Sequence, residues 1–96
     1  MLLIRRLVWD PENVAHIARY DVVPEEVEQA CHGHPVTQAG KRDRLLVFGP
    51  TDAARMLTLV LDATEVSGVY YVVTARPASR RERRIYANER KGGETI

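Results

Sequence analysis

The sequence predicts an α+β fold, with one antiparallel sheet and helices packed on a face of it. Three observations carry that expectation. In the first part of the chain, apolar residues fall at Val14, Ile17, Ala18 and Val22, the i, i+3, i+4 and i+8 positions of a single helical face. Later the pattern changes to runs of β-formers, of which Val69-Tyr70-Tyr71-Val72-Val73-Thr74-Ala75 is the strongest, rich in β-branched and aromatic side chains. The links between those runs are short and turn-forming, which favours an antiparallel meander over parallel crossovers.

Taken in order, residues 2–8 (LLIRRLV) read as a short strand. Asp10-Pro11-Glu12 then opens a helix, with Asp10 as N-cap, Pro11 in the first helical position and Glu12 in the first turn. Asp21 breaks it. Pro24-Glu25-Glu26 opens a second helix, with acids near the positive end of its dipole. Val27, Ala30 and Cys31 line its buried face, and His32-Gly33-His34-Pro35 ends it, with Gly33 as the C′ residue and Pro35 as a stop. Gly40-Lys41-Arg42-Asp43 is a turn, Arg44–Phe48 a strand, and residues 49–54 a loop. Arg55–Leu61 is a second meander strand, and Val69–Ala75 a third and central one. Ser79 followed by Glu82 is a capping-box pattern. The last helix is expected to run from Arg80 to Lys91 and to end at Gly92-Gly93. One domain therefore covers residues 1–91, and 92–96 is a disordered tail.

Composition narrows the function classes. A chain of 96 residues buries only about 60–65% of the surface its unfolded form exposes, so its stability margin is thin and a partner chain would widen it. Wholesale disorder is excluded by an apolar share of 45%. The single cysteine, Cys31, excludes an internal disulfide framework and fits a reducing compartment. The opening MLLIRRLVWDPEN is apolar too briefly for a signal peptide or membrane helix, so a cytoplasmic protein with no membrane partner is expected. Net charge is +1, unevenly distributed: residues 1–40 hold three arginines against six acids, and residues 76–96 hold seven basic residues against three acids. Either the C-terminal segment meets an anionic partner, or the two halves attract each other within the fold.

The arginine cluster Arg76, Arg80, Arg81, Arg83 and Arg84 admits two readings. Guanidinium forks clasp phosphate bidentately, and a helix start adds free N–H groups. The alternative is a solvated helix with Glu82–arginine pairs. Arg80 and Arg81 at a helix N-terminus oppose the macrodipole, a placement that stability alone does not select. On the polar side of the first helix, His16 is a candidate for proton transfer and Arg19 for charge stabilisation, or both are simply solvated. Cys31-His32-Gly33-His34 is crowded at one helix end with no second cluster to complete a zinc site, so no metal is expected and Cys31 reads as a core thiol. Tyr86 either stacks on a base or packs on the sheet, and packing suits a helix with little other apolar anchorage. Neither a Gly-rich phosphate loop nor a nucleophile elbow is present.

Three stretches then carry a resemblance. They are Val8-Trp9-Asp10-Pro11 entering a helix, Ile17-Ala18-Arg19-Tyr20-Asp21-Val22 followed by Pro24-Glu25-Glu26-Val27, and Val72-Val73-Thr74-Ala75-Arg76-Pro77-Ala78-Ser79-Arg80-Arg81-Glu82-Arg83-Arg84-Ile85-Tyr86. With them the chain resembles the BrnT-type ribonuclease toxins of type II toxin–antitoxin modules, a branch of the RelE/ParE-like superfamily. The likeness runs from about residue 7 to residue 88, and its third stretch is the most specific. It implies a RelE-like fold: a short N-terminal strand, two helices, an antiparallel three-stranded meander and a C-terminal helix. It implies RNA cleavage without a metal or other cofactor, the 2′-hydroxyl acting as nucleophile, and neutralisation by a cognate, DNA-binding antitoxin encoded in the adjacent gene. By the same resemblance, Arg76, Arg80 and Arg81 match the family's arginines at the last strand and helix start. Arg44 matches a basic position entering the first meander strand. Arg83, Arg84 and Tyr86 extend the RNA-contacting set, and a homodimer is a further candidate assembly.

The chain departs from the family pattern at three points. Tyr20-Asp21 stands where the family has His-Gly, which asks Asp21 to adopt a left-handed backbone. Asn13 stands where a lysine is common, and the spacing from Trp9 to the interhelical turn is one residue shorter. Two rival readings stand beside the toxin. One is a non-catalytic module of the same fold that binds a protein or nucleic acid. The other is a structural dimer-former marked by a wide apolar patch. What separates them is whether His16, Arg19 and the C-terminal arginines converge on one cleft.

Overall fold

The structure, a computed structural model, describes residues 4–94. Its five strands are β1 (Arg6–Val8), β2 (Val36–Ala39), β3 (Leu45–Pro50), β4 (Met56–Ala63) and β5 (Val69–Pro77). The three α-helices are α1 (Pro11–Ala18), α2 (Pro24–His32) and α3 (Arg80–Glu94), and a 3₁₀ turn occupies Lys41–Asp43. The fold is α+β, with all five strands in one sheet of order β1-β5-β4-β3-β2. Residues 2 and 3 of the expected first strand, and 95 and 96 of the expected tail, lie outside the described residues.

The first helix starts as the sequence predicts and buries a different face. The Asp10 carboxylate accepts from the Asn13 N–H at 2.8 Å, and the Asn13 side-chain oxygen accepts from the Asp10 N–H at 2.9 Å, a reciprocal capping box. The Asn13 side-chain amide goes further inward and donates to the carbonyls of Val8 (2.9 Å) and Val72 (3.1 Å). Those bonds turn Asn13 and Ile17 toward the sheet, while Val14, 38% exposed, and Ala18 face outward. The expected Val14–Ala18 stripe is thereby corrected: a buried amide that satisfies two strand carbonyls outweighs the apolar period.

The turn into α2 follows from Asp21. Its φ is +57°, the left-handed conformation anticipated where the family carries glycine. The Val22 N–H donates to the Ile17 carbonyl and the Asp21 N–H to the Ala18 carbonyl, at 3.2 and 3.1 Å, the two bonds of a Schellman ending. Val22 and Ile17 are both fully buried beneath it. On α2, Val27, Ala30 and Cys31 are buried as expected.

The sheet differs from expectation in several ways. β2 was not legible as a strand, because its VTQA is short and mostly exposed, so no alternation marks it. Residues 45–77 give the expected antiparallel β3-β4-β5 meander; β4, not β5, is the central strand, and β5 lies inside the sheet between β1 and β4. β1, however, pairs parallel to β5 through Arg6–Val69, Leu7–Tyr70 and Val8–Tyr71. The sheet is therefore mixed, and the rest of the chain between β1 and β5 supplies the long connection that parallel pairing needs. β3 also runs through Gly49 and Pro50 instead of ending at Phe48. A Cβ on Gly49 would meet the Ala30 carbonyl oxygen at 2.5 Å, so glycine lets α2 lie directly on the strand.

Helices cover both faces, not one. The main core lies between α1, α2 and the sheet, and joins Ile17, Val22, Val27, Ala30 and Cys31 to strand residues such as Val47, Leu57, Leu59 and Val72. Each buried valine, leucine or isoleucine among them contributes roughly 1.5–3 kcal/mol by leaving water. Strand alternation sends Phe48 and Thr58 to the opposite face, where both are buried and where α3 packs against β3 and β2. A large aromatic on that face has to be covered, and α3 covers it. α3 also continues past Gly92-Gly93 to Glu94, since glycine inside a helix costs about 1 kcal/mol relative to alanine but does not forbid it.

Replacing Gly49 with alanine is expected to lower stability by about 1–3 kcal/mol through overpacking against α2, read as a reduced denaturation midpoint at unchanged m-value.

Candidate nucleic-acid interface

The site grows from the capping box that starts α3. The Ser79 hydroxyl accepts from the Glu82 N–H at 3.1 Å, and the Glu82 carboxylate accepts from the Ser79 N–H at 2.8 Å. The same carboxylate reaches the sheet. It accepts from the Thr58 hydroxyl at 3.0 Å and takes both terminal nitrogens of Arg76, each at 2.7 Å. Thr58 and Arg76 are register partners on β4 and β5, so their side chains leave the sheet on the same side. Glu82 therefore joins two strands to the first turn of α3. Its pKa falls from an ordinary 4.5 to about 2, driven first by the Arg76 hydrogen bond and opposed by burial. Arg76 is raised, first by its bond to Glu82, with the Glu82 charge adding to it and burial opposing it.

Tyr20 follows α1, and its ring meets His16 edge-on, with centroids 6.0 Å apart. The backbone there is clamped by Arg55, a residue whose role gave no signal in the sequence. Its guanidinium donates to the carbonyls of Asp21 (2.6 Å) and Tyr20 (3.0 Å) and to both Glu26 oxygens, each at 3.2 Å. His16 and Tyr20 thus stand together at the end of α1, with the Tyr20 backbone tied to the start of β4 through Arg55. Arg19 is exposed and does not join them.

The remaining cluster arginines have no carboxylate partner among the described residues. Glu82, Ile85 and Tyr86 form the partly buried side of α3, while Arg80, Arg81, Arg83 and Arg84 are exposed. At roughly 100° per residue, Arg81 and Arg83 fall on opposite flanks, and Arg80 and Arg84 on the side away from the sheet. The expected convergence of Arg76, Arg80 and Arg81 on one phosphate is thus corrected: Arg76 is paired with Glu82, and the others fan out as a broad cationic surface. Adjacent positions such as Arg80 and Arg81 diverge by roughly 100°, whereas Arg80, Arg83 and Arg84, at i, i+3 and i+4, share one side of α3.

Other candidates fall into place around this arrangement. Tyr86 donates to the His34 carbonyl at 2.8 Å and so anchors α3 to the loop after α2. Arg44 pairs with Asp62 at 3.2 Å, away from the α3 start. His32 pairs with Glu28 at 3.0 Å, and Trp9 donates to the same carboxylate at 2.8 Å. Burial, followed by the charge of Glu28, pushes the Cys31 thiol up to about 12, which keeps it a core group rather than a nucleophile. Among the described residues no three His, Cys, Asp or Glu side chains gather as a metal site, and no helix is long and apolar enough to cross a membrane. Comparison with protein-family models and with curated proteins finds no match.

Glu82 makes acid stability a direct test. Its folded pKa lies below its unfolded one, so its contribution is complete above pH 4.5 and is lost as pH falls from there toward about 2. Glu82→Gln is expected to cost about 1–3 kcal/mol at neutral pH and to flatten the stability profile in that acid window, as read by denaturation at stepped pH.

Proposed function

We propose that the chain is an RNA-cleaving toxin of the BrnT type with a RelE-like fold, acting on RNA in the cytoplasm and restrained by a DNA-binding antitoxin encoded beside it. The observation that carries the reading is the exposed start of α3, whose Arg80, Arg81, Arg83 and Arg84 are unpaired among the described residues, with the His16–Tyr20 ring pair at the end of α1 offering proton-transfer groups. The helix supplies backbone grip, and the end of β5 supplies chemistry. In the cleavage step the 2′-oxygen bonds to the adjacent phosphorus and the bond to the 5′-oxygen breaks. The products are a 2′,3′-cyclic phosphate and a 5′-hydroxyl. His16 takes the 2′-hydroxyl proton, and the Tyr20 phenol gives its proton to the departing 5′-oxygen. Arg76 offsets the charge that builds on the phosphorane. Its pair with Glu82 leaves further guanidinium N–H groups to donate. Tyr20 thus takes the place of the histidine that the resemblance leads one to expect.

One observation favours the second reading, a non-catalytic binding module. Glu82 already holds Arg76 bidentately, and a module that only grips phosphates has no need of a free Arg76.

Expression without a partner is expected to slow growth, and Arg80→Ala with Arg81→Ala to relieve it; full toxicity of that double variant removes those arginines from the mechanism. Its affinity for single-stranded RNA should carry a salt slope shallower by about 1.4, roughly 0.7 per lost phosphate contact. Tyr20→Phe and Arg76→Ala are each expected to cut RNA cleavage at least about 100-fold while RNA is still bound. Wild-type protein that binds RNA and never cleaves it establishes the binding module instead.

A further inference from the structure

The sheet face that carries α3 also holds a hollow of about 420 Å³, lined by Lys41, Arg42, Arg44, Leu46 and Val60. A hollow of this size is in the range of small-ligand sites. Its floor is aliphatic, since Leu46 and Val60 are register partners on β3 and β4. Its rim is cationic. Arg44 is held by Asp62 at 3.2 Å, while Lys41 and Arg42 have no ion-pair partner among the described residues. The rim is also strained, with Arg42 and Asp43 both left-handed at φ +57° and +61°. Glycine would occupy either position without that strain, yet position 42 carries a cation. Such strain gathers where a side chain has a binding role. The next register row on the same face is Phe48–Thr58, and Thr58 bonds Glu82 at the start of α3. Two residues along a strand is roughly 7 Å, so one bound chain can touch both places.

We propose that this hollow holds one nucleotide of the strand gripped by α3. Lys41 and Arg42 take its phosphate. The base lies against Leu46, Val60 and the flat face of the Arg44 guanidinium, which the Asp62 pair keeps in place. The proposal rests on the reading of α3 as an RNA interface. A plain anion site would not need an apolar floor, and an apolar ligand would not need the two unpaired cations.

The probe is adenosine 5′-monophosphate, titrated into the full chain and followed by backbone amide shifts, with inorganic phosphate and adenosine as controls. The nucleotide is expected to shift residues 41–46 and 60, and to bind at least tenfold more tightly than either control. Lys41→Ala with Arg42→Gly is expected to lower nucleotide affinity tenfold or more while its melting temperature holds or rises, since glycine relieves the strain. Equal affinity for phosphate and nucleotide, shifts confined elsewhere, or unchanged affinity in that variant overturns the proposal. The Arg80→Ala, Arg81→Ala chain should still take the nucleotide as it loses RNA. RNA binding without any response from the hollow overturns the subsite alone. Nucleotide seated in the hollow of a chain that ignores RNA overturns the α3 reading and leaves the pocket standing.

Discussion

The Glu82 carboxylate is the constraint on which the rest of the site depends. It closes the N-terminus of α3, accepts from Thr58 on β4, and holds both terminal nitrogens of Arg76 on β5. A half-buried carboxylate loses hydration, and that loss opposes its charge; the short bidentate pair outweighs it, which is why its pKa falls instead of rising. A surface ion pair between two flexible side chains contributes little. Here both partners are fixed by backbone, one in a strand and one in a helix's first turn, so the pair determines where the helix starts and in which direction it leaves. The positions of all four exposed arginines follow from that.

β4 organises the opposite side of the same site. Arg55, just before the strand, captures the carbonyls of Tyr20 and Asp21, and Thr58 within it bonds Glu82. One strand therefore sets both the left-handed turn that presents Tyr20 and the helix start that presents the arginines. The Asp21 backbone is unfavourable for a non-glycine residue, and the Schellman bonds, the buried Ile17 and Val22, and the Arg55 clamp hold it in place.

Sequence reading reached the features that local chemistry writes: the Asp10 and Ser79 caps, the proline-led helix starts, the αL turn at Asp21 and the β3-β4-β5 meander. It missed those decided by distant partners. Asn13 looks like a helix-start polar residue until Val8 and Val72 present their carbonyls to it. β2 has no pattern of its own and exists because β3 offers an edge. The side of the sheet taken by α3 depends on Phe48, whose burial cannot be assigned from one strand. In the site, the cluster of arginines was legible and its division was not. Glu82 is the lone acid between residues 76 and 88, but that it serves the helix cap and the strand's Arg76 together depends on the angle at which β5 hands the chain to α3.

The arginines left over after that division carry an energetic argument. Arg80–Arg83, Arg80–Arg84 and Arg81–Arg84 are like-charged neighbours at i+3 or i+4, costing about 0.2–0.5 kcal/mol each. Arg80 and Arg81 also face the positive end of the helix dipole, at roughly 0.3–1 kcal/mol apiece. Together this is about 1–3.5 kcal/mol, a sizeable share of the roughly 5–15 kcal/mol that holds a small domain folded. Glu82 does not offset it, because its carboxylate is committed to Arg76. Nothing else in the fold gains from the arrangement: no described carboxylate pairs with these groups, and Tyr86, not an arginine, anchors the helix. A run of phosphates laid along α3 removes both penalties at once, turning mutual repulsion into shared attraction and the dipole into an aid. The surface is unfavourable to the free protein and would be relieved by a polyanion, which is the energetic ground for the reading proposed above.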